Sequence, residues 1–449
     1  MKVGFSSTDI TPAYGMERPG QASKAFHRGI HDPCLVTACV LDDGINPIAL
    51  VGVDTLSIKR SIVNAARKLI EEAVGITPTN IMVCASHTHS GGPVAEHTFA
   101  SEPDAFYIEL VTRQIATAVV DAHRKSTEAQ IGVGCGEVGD VTFLRRWYMR
   151  DGTIWSHPGS RNPDGMIRPD GEIDSSVTVI GTVDSSDRPI GCIVNFACHG
   201  TTGLGLDSTS SADWIFFLRQ YLKRVFGDEF GVVFFNGACG DVTQVDNREP
   251  MRKWSGPIIA RRVGASVAGE AVKILSRTSY GDNYAVSAKS ILIEISPRMV
   301  TTAMRRWAES HLQSLRSVEG RWFQDELWAR EWLALAELNA KEPLIHAELQ
   351  TITVADAVIV SIPAEYFSAL ALDIKRRSKF DTTLVATLAN GCIGYVGNRD
   401  AYNHIKEDGV PMVGSYETMP ARWSRCEPGT GELIADRAVA LVNSMWKDR

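Results

Sequence analysis

Cys84-Ala85-Ser86-His87-Thr88-His89-Ser90-Gly91-Gly92 is the stretch from which the rest of the chain is read. It follows the apolar run Ile81-Met82-Val83 and opens into glycines, the pattern of a buried strand that ends in a loop. Residues two apart on a strand point to the same side, so the spacing predicts that His87 and His89 face one cavity. Two imidazoles where a buried strand opens into a glycine loop suit a metal site or a general base. The plain alternative is that one histidine is a ligand at most and the other caps the loop.

Working outward, Pro47–Val53 reads as a buried apolar strand and Lys59–Val74 as an amphipathic helix, with Ile62, Ala65, Ala66, Leu69 and Ile70 at helical spacing. Residues 104–125 repeat the helical pattern. Residues 129–188 turn to β and loop, with Asp/Gly/Asn/Pro clusters at 151–172 expected to cover part of a site. Pro189–Ala197 is a second buried strand, ending at Cys198-His199-Gly200. A helix at Asp213–Phe226 and a strand at Val232–Asn236 follow, and the latter closes in Gly237-Ala238-Cys239-Gly240-Asp241. The layout strand–loop–helix–strand–loop thus occurs twice, each time with polar residues at the strand ends, where ligands of open α/β sheets gather. Further helices are expected at Pro257–Ser276, over 301–340 with a break near Gly320, at 365–378 and at 431–447, and strands at 349–361 and 383–388. The fold class expected is α/β, central mixed β-sheets flanked by helices, as one domain over residues 1–449. Trp307, Trp322, Trp328 and Trp332 share a helical face that suits a core or a subunit interface, so a homo-oligomer is one expectation.

The chain has 449 residues, 44% hydrophobic and 22% charged, with a net charge of −7. An ordinary globular composition with a mild acidic balance gives no reason to expect nucleic acid or an anionic membrane as partner. No apolar run reaches the ~18 residues of a membrane span, and the N-terminus lacks the apolar core of a signal peptide. Nine cysteines without a CxxC pair suit free thiols in a reducing compartment. The expectation is a soluble, cytoplasmic protein acting on a small molecule.

The polar residues at strand ends are His87, His89, His199, Asp241, Glu365 and Tyr395. Each has an ordinary reading. His199 suits a satisfied core histidine, Glu365 a first-turn helix carboxylate favoured by the helix dipole, and Tyr395 a strand aromatic.

Taken together, an ordered set of strings resembles the neutral/alkaline non-lysosomal ceramidase family. His87-Thr88-His89-Ser90-Gly91-Gly92 is similar to its HTHSGP signature, Thr8-Asp9-Ile10-Thr11 to its ADIT segment, and Gly29-Ile30-His31 to its GIH. Asn236 to Val242 is similar to its NxGDVSPN loop and Pro363-Ala364-Glu365 to its PGE. Asn390 to Tyr395 with Ser415-Tyr416-Glu417 resembles its tyrosine-rich region. The matches run from residue 4 to about 425. The resemblance implies a catalytic zinc held by His87, His199, Glu365 and Tyr395, an N/O ligand set with a position left open. It implies His89 as proton carrier, Arg145 as the site arginine with Arg146 as the adjacent alternative, and Tyr416 as a donor to the scissile group. The reaction implied is amide hydrolysis by a bacterial ceramidase-like enzyme.

Three departures stand out. Thr243 and Gln244 replace the Ser-Pro of the family loop, which disfavours a serine nucleophile but keeps a hydroxyl at the site. Cys392 replaces a tyrosine, and the spacing from Tyr402 to Tyr416 is longer. The family's C-terminal β-sandwich and a secretion signal are not found, so a small soluble N-acyl compound is expected rather than membrane ceramide. The alternatives are an ester or carbohydrate substrate at the same metal site, for which the loop 145–172 is suited, and a binding protein without catalysis.

Overall fold

All six residues of Ile48–Val53 are buried, which requires cover on both faces of the strand. The computed structural model, which describes residues 1–21, 24–98, 101–203, 207–282, 284–314, 324–402 and 415–446, supplies that cover with a second sheet on one side and helices on the other.

The larger sheet consists of β1 (Lys2–Asp9), β2 (Leu35–Asp42), β3 (Ile48–Val53), β4 (Ile81–Ala85), β5 (Thr127–Glu137), β6 (Ser176–Asp184), β7 (Pro189–Phe196) and β8 (Gly231–Asn236). Their spatial order is β8-β7-β6-β5-β1-β2-β3-β4. The smaller sheet has the order β9 (Ser287–Ile295), β10 (Ile345–Val354), β11 (Ala357–Ile362) and β12 (Thr382–Thr387). One apolar layer joins them: Leu50, Met82, Ile193, Val233 and Phe235 share a core with Ile352, Ile359, Leu384 and Ala386.

Helices α1 (Arg60–Val74) and α2 (Ala105–Arg124) cover one half of the larger sheet's outer face, and α3 (Trp214–Phe226) and α4 (Pro257–Leu275) the other. α5 (Thr302–Ser314), α6 (Gln324–Lys341), α7 (Ser368–Arg377) and α8 (Thr430–Trp446) contribute to the core on the outer side of the smaller sheet. The result is a mixed α/β sandwich with the helices outside, as the sequence predicts.

Within these two sheets three strand pairs are parallel, β3/β4, β7/β8 and β11/β12, and each is connected through a helix. Two of these units match the repeated layout read from the sequence, and the third is the stretch that carries Glu365. The strands expected over 349–361 are two, separated by a turn at Ala355 with φ +51. Glu365 lies not in a helix but in a two-residue strand, Glu365–Tyr366, and α7 starts at Ser368. β9 was not foreseen: only its last residue is buried, so it carries little apolar signal. Trp328 and Trp332 are buried in the core and Trp307 packs against it, so this face is used within the chain. Trp322 and the break at Gly320 lie outside the described residues.

Candidate active site

The carboxyl ends of the parallel pairs deliver the polar residues to one place. His87 follows β4, His199 follows β7, Glu365 follows β11 and Tyr395 follows β12. The short strands Glu365–Tyr366 and Tyr395–Val396 pair in parallel, with Glu365 opposite Tyr395.

His87 is not on the strand. Its φ is +66, in the left-handed region that a bulky side chain rarely occupies, so strand alternation does not set its direction. The conformation is held by its backbone N–H on the Thr55 carbonyl (3.0 Å) and its Nδ1 on the Leu56 carbonyl (2.6 Å). His87 and His89 nonetheless converge, with ring centroids 4.9 Å apart. The His199 loop can approach because Gly200 has no side chain: a Cβ there would lie 2.6 Å from the His87 carbonyl oxygen. The Gly200 carbonyl in turn accepts from the His89 N–H at 3.0 Å.

Glu365 Oε2 lies 3.2 Å from His87 Nε2 and 3.5 Å from His199 Nε2, and all three side chains are buried. A carbonyl on His87 Nδ1 makes that nitrogen the donor and leaves Nε2 a lone pair. His199 Nε2 faces the Arg145 Nη1 donor at 3.1 Å, so it too is a lone pair. Burial and then Arg145 bring the His199 imidazole down to about 3, so it is neutral. Three acceptors therefore converge, and neither His87 Nε2 nor Glu365 Oε2 has a hydrogen-bond partner. Such an arrangement of buried acceptors suits a cation.

Tyr395 is buried and its phenol, pushed well up by burial and then by Glu365, donates to the Glu365 carboxylate. Its ring meets that of Tyr416 at 5.9 Å. Burial also drives the Tyr416 phenol up, so both are neutral donors. His89 donates to the Gly20 carbonyl, and burial holds it well below the usual histidine range, so its unpartnered Nε2 is a free lone pair. His89 and Tyr416 are the partly exposed members of the group.

Of the two adjacent arginines, Arg145 reaches the cluster. Besides His199 it binds Glu417 through Nε (2.7 Å) and the Gly240 carbonyl through Nη2 (2.6 Å). Arg146 turns away to Asp170, the Ala401 carbonyl and Ser415. Thr243 is not joined to the cluster by any described contact. Its hydroxyl lies against Gln244 and accepts from the Val245 N–H, and Gln244 clamps the Thr201 carbonyl just after His199.

Two residues escaped the sequence reading. Cys239 brings its sulfur into a group with His87 and His199 in which the ligand atoms all lie within 4.8 Å of one another. Its place in the Asn236–Asp241 loop was the available signal. Glu417, wholly buried, pairs with Arg145 and Arg146 and accepts from Ser156, and its place beside Tyr416 was the only pointer.

Compared with solved structures, the chain is similar to a ceramidase complexed with C2, at a TM-score of 0.71 and 14% identity, over 100% of this chain and 75% of that one. It is similar to the neutral ceramidase from Pseudomonas aeruginosa at a TM-score of 0.70 and 16% identity, over 99% and 74% respectively. The fold is that of the neutral ceramidases. No protein-family model and no curated protein matches the sequence. In this neutral-ceramidase-like fold the polar cluster occupies the carboxyl ends of strands from both sheets, and no described helix is long and apolar enough to cross a membrane.

Proposed function

We propose that the protein is a metal-dependent hydrolase that cleaves the amide bond of a small N-acyl compound. The observation that carries this reading is the convergence of His87 Nε2, His199 Nε2 and Glu365 Oε2 as buried acceptors, with the Arg145 guanidinium against His199. His87, His199, Glu365 and Tyr395 would hold the ion, and an N/O set of this kind suits zinc. Cys239, whose sulfur lies in the same group, stands outside this set, because the four N/O residues already fill it. When bound, the ion supplies Lewis-acid polarisation of the carbonyl and an acidified water.

The chain's own residues account for the remaining work. Arg145, fixed from three sides, and Tyr416, a neutral phenol, are donors for the oxygen that becomes negative as the carbonyl carbon turns tetrahedral. His89 Nε2 takes the proton from the attacking water and returns it to the leaving nitrogen, its ring held by the Gly20 carbonyl. Thr243 acts indirectly, positioning Gln244 and through it the loop after His199. The enclosure of the ligand set, each member at most 3% exposed, favours a compact substrate. Nine free cysteines favour a reducing compartment, hence the cytoplasm.

An ester or carbohydrate substrate is the second reading. It is favoured by a cavity of about 730 Å³ lined by Phe143, Leu144, Trp147 and Arg168, although none of the four ligand candidates lines it.

The experiment is metal analysis of the purified protein beside His199→Ala, with a panel of N-acyl substrates run on the same samples. About one zinc per chain, lost in the variant together with amide hydrolysis, is the expected result. Metal bound without amide hydrolysis would move the reaction to esters or glycosides, and no metal in either sample would overturn the reading.

A further inference from the structure

Arg18 is 7% exposed, yet its Nε and Nη1 have no hydrogen-bond partner and no carboxylate lies within ion-pair distance among the described residues. The acid that acts on it, Asp207, is exposed and engaged with Thr209, and burial still draws the guanidinium below its usual range. Removing a charge from water without a partner is costly, so a chain that keeps one has a use for it.

The place of Arg18 shows what that use is. Its backbone N–H binds the Ala25 carbonyl and the His27 N–H binds the Met16 carbonyl, which ties residues 16–18 to residues 25–27. Two residues on, Gly20 lies directly on the active-site histidine: a Cβ there would be 2.8 Å from His89 Nδ1. His27 Nε2 binds the Gly91 carbonyl at 2.9 Å, so the loop is anchored twice to the His87–Gly92 segment. His27 also has a free nitrogen, Nδ1, which is a lone pair because Nε2 is the donor. Burial and then Arg18 keep this imidazole neutral. An unsatisfied cation and an unsatisfied acceptor thus stand in the loop that rests on the proton carrier.

We infer that Arg18 is the receptor for an ionised carboxylate on the substrate, so that the N-acyl compound is an anionic one, such as an N-acyl amino acid, whose carboxylate lies close to an N–H. A guanidinium recognises a carboxylate through parallel charge-assisted hydrogen bonds, and the His27 lone pair suits the adjacent N–H. This rests on the proposed amide hydrolysis for the identity of the ligand, but not for the existence of the anion site.

The test compares N-acetylglycine with N-acetylglycinamide on the full-length protein, wild type beside Arg18→Met and Arg18→Lys. Binding is read by calorimetry, turnover by release of glycine or glycinamide, and stability by thermal melting. Wild type should favour the carboxylate by about tenfold or more, the worth of one charge-assisted hydrogen-bonded pair. Arg18→Met should abolish that preference and melt no lower than wild type, since it removes an uncompensated buried charge, while Arg18→Lys should retain part of the preference. Equal handling of the two probes by wild type, or binding of neither, would overturn the inference. So would a preference that survives in Arg18→Met. If the carboxylate is preferred in binding through Arg18 and neither amide is cleaved, the anion site stands and the amidase reading falls. Cleavage without preference gives the reverse.

Discussion

The Arg145 Nη1 lies 3.1 Å from His199 Nε2, a guanidinium N–H directed at an imidazole lone pair. A lysine at 145 would keep a positive charge but not the planar fork that also reaches Glu417 and the Gly240 carbonyl. Arg145→Lys should therefore lower kcat by about a hundredfold or more, the usual cost of one misplaced oxyanion donor. Metal content, measured on the same sample, should stay at the wild-type level. Loss of the metal instead would make Arg145 a support for His199 and nothing more.

Glu417 carries the opposite charge for two buried arginines, since its carboxylate also lies 3.6 Å from Arg146 Nη1. Removing one partner of a buried pair leaves the other uncompensated, at a cost of about 3–5 kcal/mol. Glu417→Ala should show this loss in urea denaturation, with the slope against denaturant unchanged.

The roles of sulfur and nitrogen around the cluster separate by metal analysis. His199→Ala should lose the ion, and so should wild type dialysed against a chelator. Cys239→Ser should retain it, because the four N/O ligands are untouched. Equal loss in Cys239→Ser and His199→Ala would place sulfur among the ligands.

Asp241 gives a pH dependence of known sign. Burial raises its carboxyl to about 7, partly offset by the Ser368 N–H, Arg146 and Arg145. In the unfolded chain the group titrates near the ordinary aspartate value of about 4, so between the two values the folded state holds the extra proton. Stability from this group is full at low pH, falls as pH rises through that window, and is flat above it. Asp241→Asn keeps an acceptor for the Ser368 N–H and lacks the titration. Its melting temperature should rise relative to wild type between pH 5 and pH 8, and a constant difference would show that Asp241 is ionised throughout.

Much of this arrangement was legible in the sequence because it follows from strand ends. Apolar runs that stop at His87, His199 and near Glu365 mark where parallel strands deliver polar groups, and these three do meet. What periodicity does not carry is backbone conformation outside regular structure. His87 takes a left-handed φ, so the rule that paired it with His89 reached the right outcome for the wrong reason. Glu417 and Cys239 were quoted within longer strings but have no local pattern that marks them as buried partners of the cluster. Their importance arises from residues on other elements, far along the chain, which no spacing rule reaches. Arg18 shows the same limit, since an arginine in a Pro/Gly-rich loop gives no sign that it will be buried.

The sandwich divides the cluster between its two halves. The larger sheet leads to His87 and His199, the smaller to Glu365 and Tyr395, and the contact of their inner faces, with backbone bonds such as Ala85 N–H to the Leu388 carbonyl, brings the four together. Neither sheet alone could serve as an ancestor or a fragment with this chemistry. The cluster is in effect a latch across a seam, and any ion shared by the four residues would resist the parting of the layers. Amide hydrogen exchange along β4 and β11 should then slow together when metal is added, a response that a site built on one sheet would not give.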